Sequence, residues 1–184
     1  MTNMARLALL LSVSVLAACT TLAGPRSIVV SDAELSRRLA EKFPIDRRWL
    51  EVFDVRMSNP QVRTSSETGL LSIDVDLGFG GRLIDRRYAA RLRLQARPRF
   101  DEQDHSLRLS NVDVDALQIA GDGESLLGRA GRLPALLLAQ SLEDATVYRL
   151  NAEQIARLQQ HGMALRSIGI GSQGGLQLNF EPLR

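Results

Sequence analysis

The chain has 184 residues, 45% of them hydrophobic and 24% charged, with 23 basic against 21 acidic side chains and a formal charge of +2. That is one domain's worth of sequence with an ordinary globular balance. A charge this close to zero, no Lys/Arg block of five or more and only eight aromatic side chains argue against a nucleic-acid partner.

Met1–Arg6 carries one cation, and Leu7–Ala18 is twelve residues of mostly Leu, Ala and Val. A charged start followed by an apolar run of this length reads as an export signal. It is too short for a transmembrane helix, which needs about 20 apolar residues. Cys19 is the only cysteine. The four residues Leu16-Ala17-Ala18-Cys19 resemble the bacterial lipobox, in which signal peptidase cuts before a cysteine whose thiol carries a diacylglycerol; the alternative is a plain secreted chain or a buried cysteine. The expected mature chain is Cys19–Arg184, 166 residues once 18 are removed, with 22 basic against 21 acidic groups and no disulfide. One acyl chain anchors only marginally, so a multiply acylated Cys19 would hold the protein to a membrane. Thr20 in place of Asp implies, by resemblance to lipoprotein sorting signals, the outer membrane and its periplasmic face. Thr20–Ser27 reads as a tether. The expected division is 1–18 signal peptide, 19–27 lipidated tether and 28–184 a single domain.

Ile28-Val29-Val30 is a short β-prone stretch, and Ser31 with Glu34 suggests a capping box for the helix that follows. In that helix Leu35, Leu39 and Phe43 fall on one face, and Phe43-Pro44 ends it. From about Leu50 the period becomes two. Phe53, Val55 and Met57 alternate with polar residues, as do Leu71, Ile73, Val75, Leu77 and Phe79, then Tyr88, Ala90, Leu92, Leu94 and Ala96. Strands with one wet and one dry face are antiparallel. The next strand slips phase: Leu107 and Leu109 are odd, Val112 and Val114 even, Leu117 and Ile119 odd again. The first strand slips at Asn59-Pro60 before Val62. Bulges absorb such slips and bend a sheet.

Ser125–Ala145 is helical in period but carries Gly128, Gly131 and Pro134. A break is expected near Leu133-Pro134, with Ala135–Leu142 helical and Leu136-Leu137-Leu138 enclosed. Thr146–Leu150 reads as a strand, Asn151 caps a helix ended by Gly162, and Met163–Ile170 and Leu176–Phe180 close the chain as strands. The fold class is α+β: a strongly curved, bulged antiparallel sheet wrapped around helices.

Catalytic candidates are weak. Gly169–Gly174 matches GxGxxG, but strand residues follow where a nucleotide site needs a helix, so it reads as a hairpin turn. His105 and His161 have no HxxxH or cysteine partner, so no metal site is expected. No G-x-S-x-G elbow occurs. Asp74 and Asp76, like Asp113 and Asp115, are spaced as a solvated strand face. Arg91, Arg93, Arg97 and Arg99 read as cross-strand partners for such aspartates, or as contacts to anionic head groups. No enzyme and no cofactor is expected.

The lipobox, the strand before Ser31-Asp32-Ala33-Glu34-Leu35, Arg97–Glu102 leading into Leu107-x-Leu109, Val147–Leu150 before a helix and a final hairpin occur in this order. Together they resemble the YceB-like bacterial lipoproteins, a domain family of unknown function. The resemblance implies a tubular lipid-binding fold like that of bactericidal/permeability-increasing proteins, and hands over no active-site residues. Two functions remain open. One is a membrane-anchored module holding a lipid or other apolar ligand between sheet and helices, with Leu35, Leu39, Phe43, Ile73, Val75, Leu77, Leu92, Leu94, Leu137 and Leu138 as candidate lining. The other is a structural lipoprotein with a filled core that acts through an envelope protein partner.

Overall fold

The computed structural model describes residues 26–49, 53–81, 84–120 and 132–183. The expected signal segment, Cys19 and the tether up to residue 25 lie outside them, as does the stretch 121–131.

Strand β1 (Arg26–Val30) starts inside the expected tether and pairs with the last strand, β9 (Leu176–Pro182), which pairs with β8 (Met163–Ile170). Six strands form a second antiparallel sheet in chain order: β2 (Ile45–Trp49), β3 (Phe53–Ser65), β4 (Leu70–Gly81), β5 (Ile84–Asp101), β6 (Ser106–Ile119) and β7 (Thr146–Arg149). The described helices are α1 (Asp32–Ala40), α2 (Arg132–Leu142) and α3 (Ala152–Gln160). The architecture is α+β, with the larger sheet strongly curled into a half-barrel.

The curl follows from what α1 touches. Nine helical residues span only about 14 Å, yet α1 packs on both β3 and β7. Four strand steps separate those two, roughly 19 Å in a flat sheet. The sheet must bend for one short helix to meet both, and Leu35 and Leu39, each 0% exposed, plug the space inside the bend. The bends are bulges where the sequence slips phase. Register shifts between Ser58 and Gln61 in β3, and twice along β5–β6, between Arg93 and Leu94 and between Gln95 and Arg97. Asn59 and Asn111 sit at these sites with φ of 52° each, a left-handed conformation that asparagine tolerates. Each bulge returns the apolar set to the concave face, so Leu109, Val114 and Leu117 all lie opposite apolar or proline residues of β5 (Pro98, Leu94 and Leu92).

Only half of the expected capping box forms at α1. Ser31 Oγ accepts from the Glu34 N–H at 3.2 Å, while the Glu34 carboxylate turns to Arg37 and Arg38 at 2.6 and 2.9 Å. At α3 the box is complete, with Asn151 and Gln154 satisfying each other's backbone. Helix α2 departs from expectation twice. It already runs from Arg132, with Pro134 in the first turn, where a missing N–H breaks no helical bond. It is also not enclosed: Ala135, Leu138, Ala139 and Leu142 are buried, but Leu136 and Leu137 are 55% and 44% exposed. Three consecutive helical residues spread over about 200° of the helix surface, more than one sheet can cover.

The glycine-rich stretch is a hairpin turn. The Gly171 N–H donates to the Gly175 carbonyl and the Gly174 N–H to the Gly171 carbonyl, both at 3.0 Å. The turn also ties the two sheets together. Asp32 Oδ1 accepts from the Gly175 N–H at 3.0 Å and from the Thr64 hydroxyl at 2.9 Å, and Asp32 Oδ2 accepts from the Thr64 N–H at 3.2 Å. Phe100 of β5 meets Phe180 of β9 edge-on at 6.2 Å, extending the same seam.

On the outside, Arg108 gathers Asp101, Asp104 and Asp144, joining β5, β6 and the turn after α2. Bonds from Ser106 and then Arg108 and Arg149 hold the Asp104 carboxyl below its ordinary 3.8, and Arg99, helped by Arg108, does the same for Asp144. Depressed carboxyl pKa values stabilise the fold above the unfolded value near 3.8, and that contribution is lost as pH falls through the folded values. Arg108→Gln should therefore flatten the decline of melting temperature between about pH 4 and pH 2. An acid limb as steep as wild type would mean that this hub contributes nothing.

Candidate functional site

The residues expected to line a ligand space fall into three groups. Leu35, Leu39, Ile73, Leu92 and Leu94 are 0% exposed, so no space as large as a water molecule touches them. Val75, Leu77 and Leu138 are nearly as closed. Together they form one continuous core with the buried side chains of β3, β6 and the smaller sheet. Leu137 points outward from α2, contrary to expectation. Two of them border a cleft: Phe43 the one beside α1, and Leu77 a smaller one of about 530 Å³ between β4, β5 and the end of β6. A filled interior makes Val75→Trp an overpacking change that should cost about 1–3 kcal/mol, read by thermal unfolding. Unchanged stability would mean that a void accepts the ring.

The cleft beside α1 lies where two structures fail to meet. β2 stops pairing with β3 at Ile45–Met57. Further along the same edge α1 takes over as partner, with Ser36 Oγ accepting from the Val62 N–H at 2.8 Å and Asp32 bonding Thr64. Between them the bulge at Ser58–Gln61 stands uncovered and opens a cleft of about 750 Å³. Ala33, Ala40, Phe43, Pro44, Pro60 and Val62 give it apolar walls; Phe43 and Pro44 are joined by a cis peptide. Ser58, Gln61, Arg37 and Arg56 supply the polar rim. The volume lies within the range of small-molecule sites. The sequence pointed to Phe43 and to the bulge separately, but nothing in it says that they share a cleft.

The charged strand faces are occupied by pairing. Asp74, its side chain 10% exposed, is held by Arg63 and Arg93 at 2.8 Å each, and Asp76 by Arg91 at 3.5 Å and Asn59 at 3.0 Å. Arg99 pairs with Asp144. Arg91 and Arg93 thus have the cross-strand partners that the spacing suggested, whereas Arg99 pairs instead with the turn after α2 and Arg97 has no ion pair among the described residues. Among the described residues no group of three or more His, Cys, Asp or Glu could hold a metal, and no helix is long and apolar enough to cross a membrane.

No curated protein is significantly similar to the chain. A family model does match it, over residues 30–168, which takes in everything from the end of β1 through α1, the half-barrel, α2 and α3 into β8. The chain thus belongs to the DUF1439 family, proteins of unknown function.

Proposed function

We propose that this protein is a lipoprotein acylated at Cys19, anchored on the periplasmic face of the outer membrane, that holds a lipid or another apolar ligand without catalysing a reaction. The ligand lies in the groove between the curled sheet and α1. The supporting observation is the cleft at the β3 bulge, a concave space of about 750 Å³ with Phe43 in its wall and the sealed core behind it. The finer resemblance to YceB-like lipoproteins and tubular lipid-binding domains agrees with this reading. The test is native mass spectrometry of the full chain carrying Cys19→Ser, with uptake of a fluorescent fatty acid measured alongside. A co-purifying apolar mass, or saturable uptake, is expected; neither would leave the site without a ligand. For the anchor, Cys19→Ser should abolish labelling by radioactive palmitate, and a variant still labelled would overturn acylation at this residue.

A second reading rests on Leu136 and Leu137, adjacent and exposed on α2. An apolar pair there suits an envelope protein partner, and the filled core then serves only to display it.

A further inference from the structure

The cleft at the β3 bulge carries more information than its apolar walls, because its polar groups are unequally committed. Asp32 is engaged by Thr64 and Gly175. Arg37 is held by Glu34 at 2.6 Å and Glu41 at 3.5 Å. Ser36 donates to the Asp32 carbonyl at 2.7 Å and accepts from Val62. Arg56 differs. Its ion-pair partner among the described residues is Asp46 at 3.5 Å, and the two side chains are 63% and 62% exposed. A charge-assisted bond is normally about 2.7–2.9 Å, and a pair this exposed contributes close to nothing, so the guanidinium is free to take another anion. Beside it, the side chains of Ser58 and Gln61 have no hydrogen-bond partner among the described residues.

An added peptide strand fits this edge poorly. The gap between the last β2 pair at Met57 and the α1 contact at Val62 is four residues, and one of them, Pro60, has no N–H to donate. A small amphiphile fits better, its tail on Phe43 and Pro44 and its head at Arg56.

Building on the groove reading above, we infer that the cleft selects a single-chain carboxylate, a fatty acid, whose head is bound by Arg56 with Ser58 and Gln61 at its side. The guanidinium fork matches a carboxylate in two-point contact. The test is titration calorimetry of the full chain carrying Cys19→Ser, with dodecanoate and dodecanol below their aggregation limits. Dodecanoate should bind about 10-fold tighter than dodecanol. Arg56→Gln should erase that difference while leaving dodecanol unchanged, and Arg56→Lys should keep part of it. Phe43→Ser should weaken both ligands. Equal affinities for the two in the unsubstituted cleft, or a preference that survives Arg56→Gln, would overturn the inference and leave the groove reading standing. Binding of neither would overturn both.

Discussion

Leu39→Asp is expected to cost several kcal/mol and to leave little folded protein at room temperature. Leu39 is 0% exposed, on the face of α1 that fills the half-barrel, and its surroundings are other core side chains. Burying a carboxylate there without a partner carries a penalty far beyond the loss of apolar contact. The stability of a whole domain is only about 5–15 kcal/mol. Because α1 joins β3 to β7, expelling it would also release the curl of the sheet. Circular dichroism and a melting curve would read the effect, and a variant melting like wild type would mean that α1 does not close the half-barrel.

Gly175→Ala should be nearly as damaging, by about 2 kcal/mol or more. Gly175 has φ of +86°, which a side chain rarely tolerates, and a Cβ there would stand 2.7 Å from the Val30 carbonyl oxygen. That oxygen belongs to backbone, so relief requires moving β1 or the turn. Either movement pulls the Gly175 N–H from Asp32 and Thr64, the bonds that stitch the smaller sheet to α1 and β3. Gly169→Ala makes a control, since a Cβ there meets nothing within 4 Å. Equal melting temperatures for the two variants would remove the seam from the account.

The parts of the fold that could be read from the chain are those in which local pattern and tertiary position agree. Period-two alternation identified the concave residues of β3, β4 and β5. The two phase slips marked the bulges at Asn59 and along β6, because a strand with one buried face cannot shift by one residue without a device to absorb it. β2 was not legible. Ile45-Asp46-Arg47-Arg48-Trp49 carries three charges in five residues and becomes a strand only because β3 offers it an edge. Three leucines in a row suggested an enclosed α2, yet only Leu138 of the three is buried. At the candidate site, Phe43 was singled out by its helical spacing. Its partners at Arg56, Ser58 and Gln61 belong to β3, which comes beside it because β2 and α1 both bond to the same edge of that strand, and the cleft itself is a gap left between β2 and α1. A gap between two elements has no signature in the sequence of either.

If the interior is filled and the ligand lies at the rim, between α1 and the β3 bulge, a bound lipid touches the rim and not the concave face of the sheet. Amide and methyl NMR spectra of the full chain carrying Cys19→Ser, recorded with a spin-labelled stearate, test it most directly. Signal loss should be strongest at Ala40, Phe43, Gln61 and Val62 and should weaken with each strand crossed, through Ile73, the partner of Val62, to Leu92 and Leu94. Loss strongest at Leu92 and Leu94 and weaker at Phe43 and Gln61 would place the ligand inside the half-barrel instead.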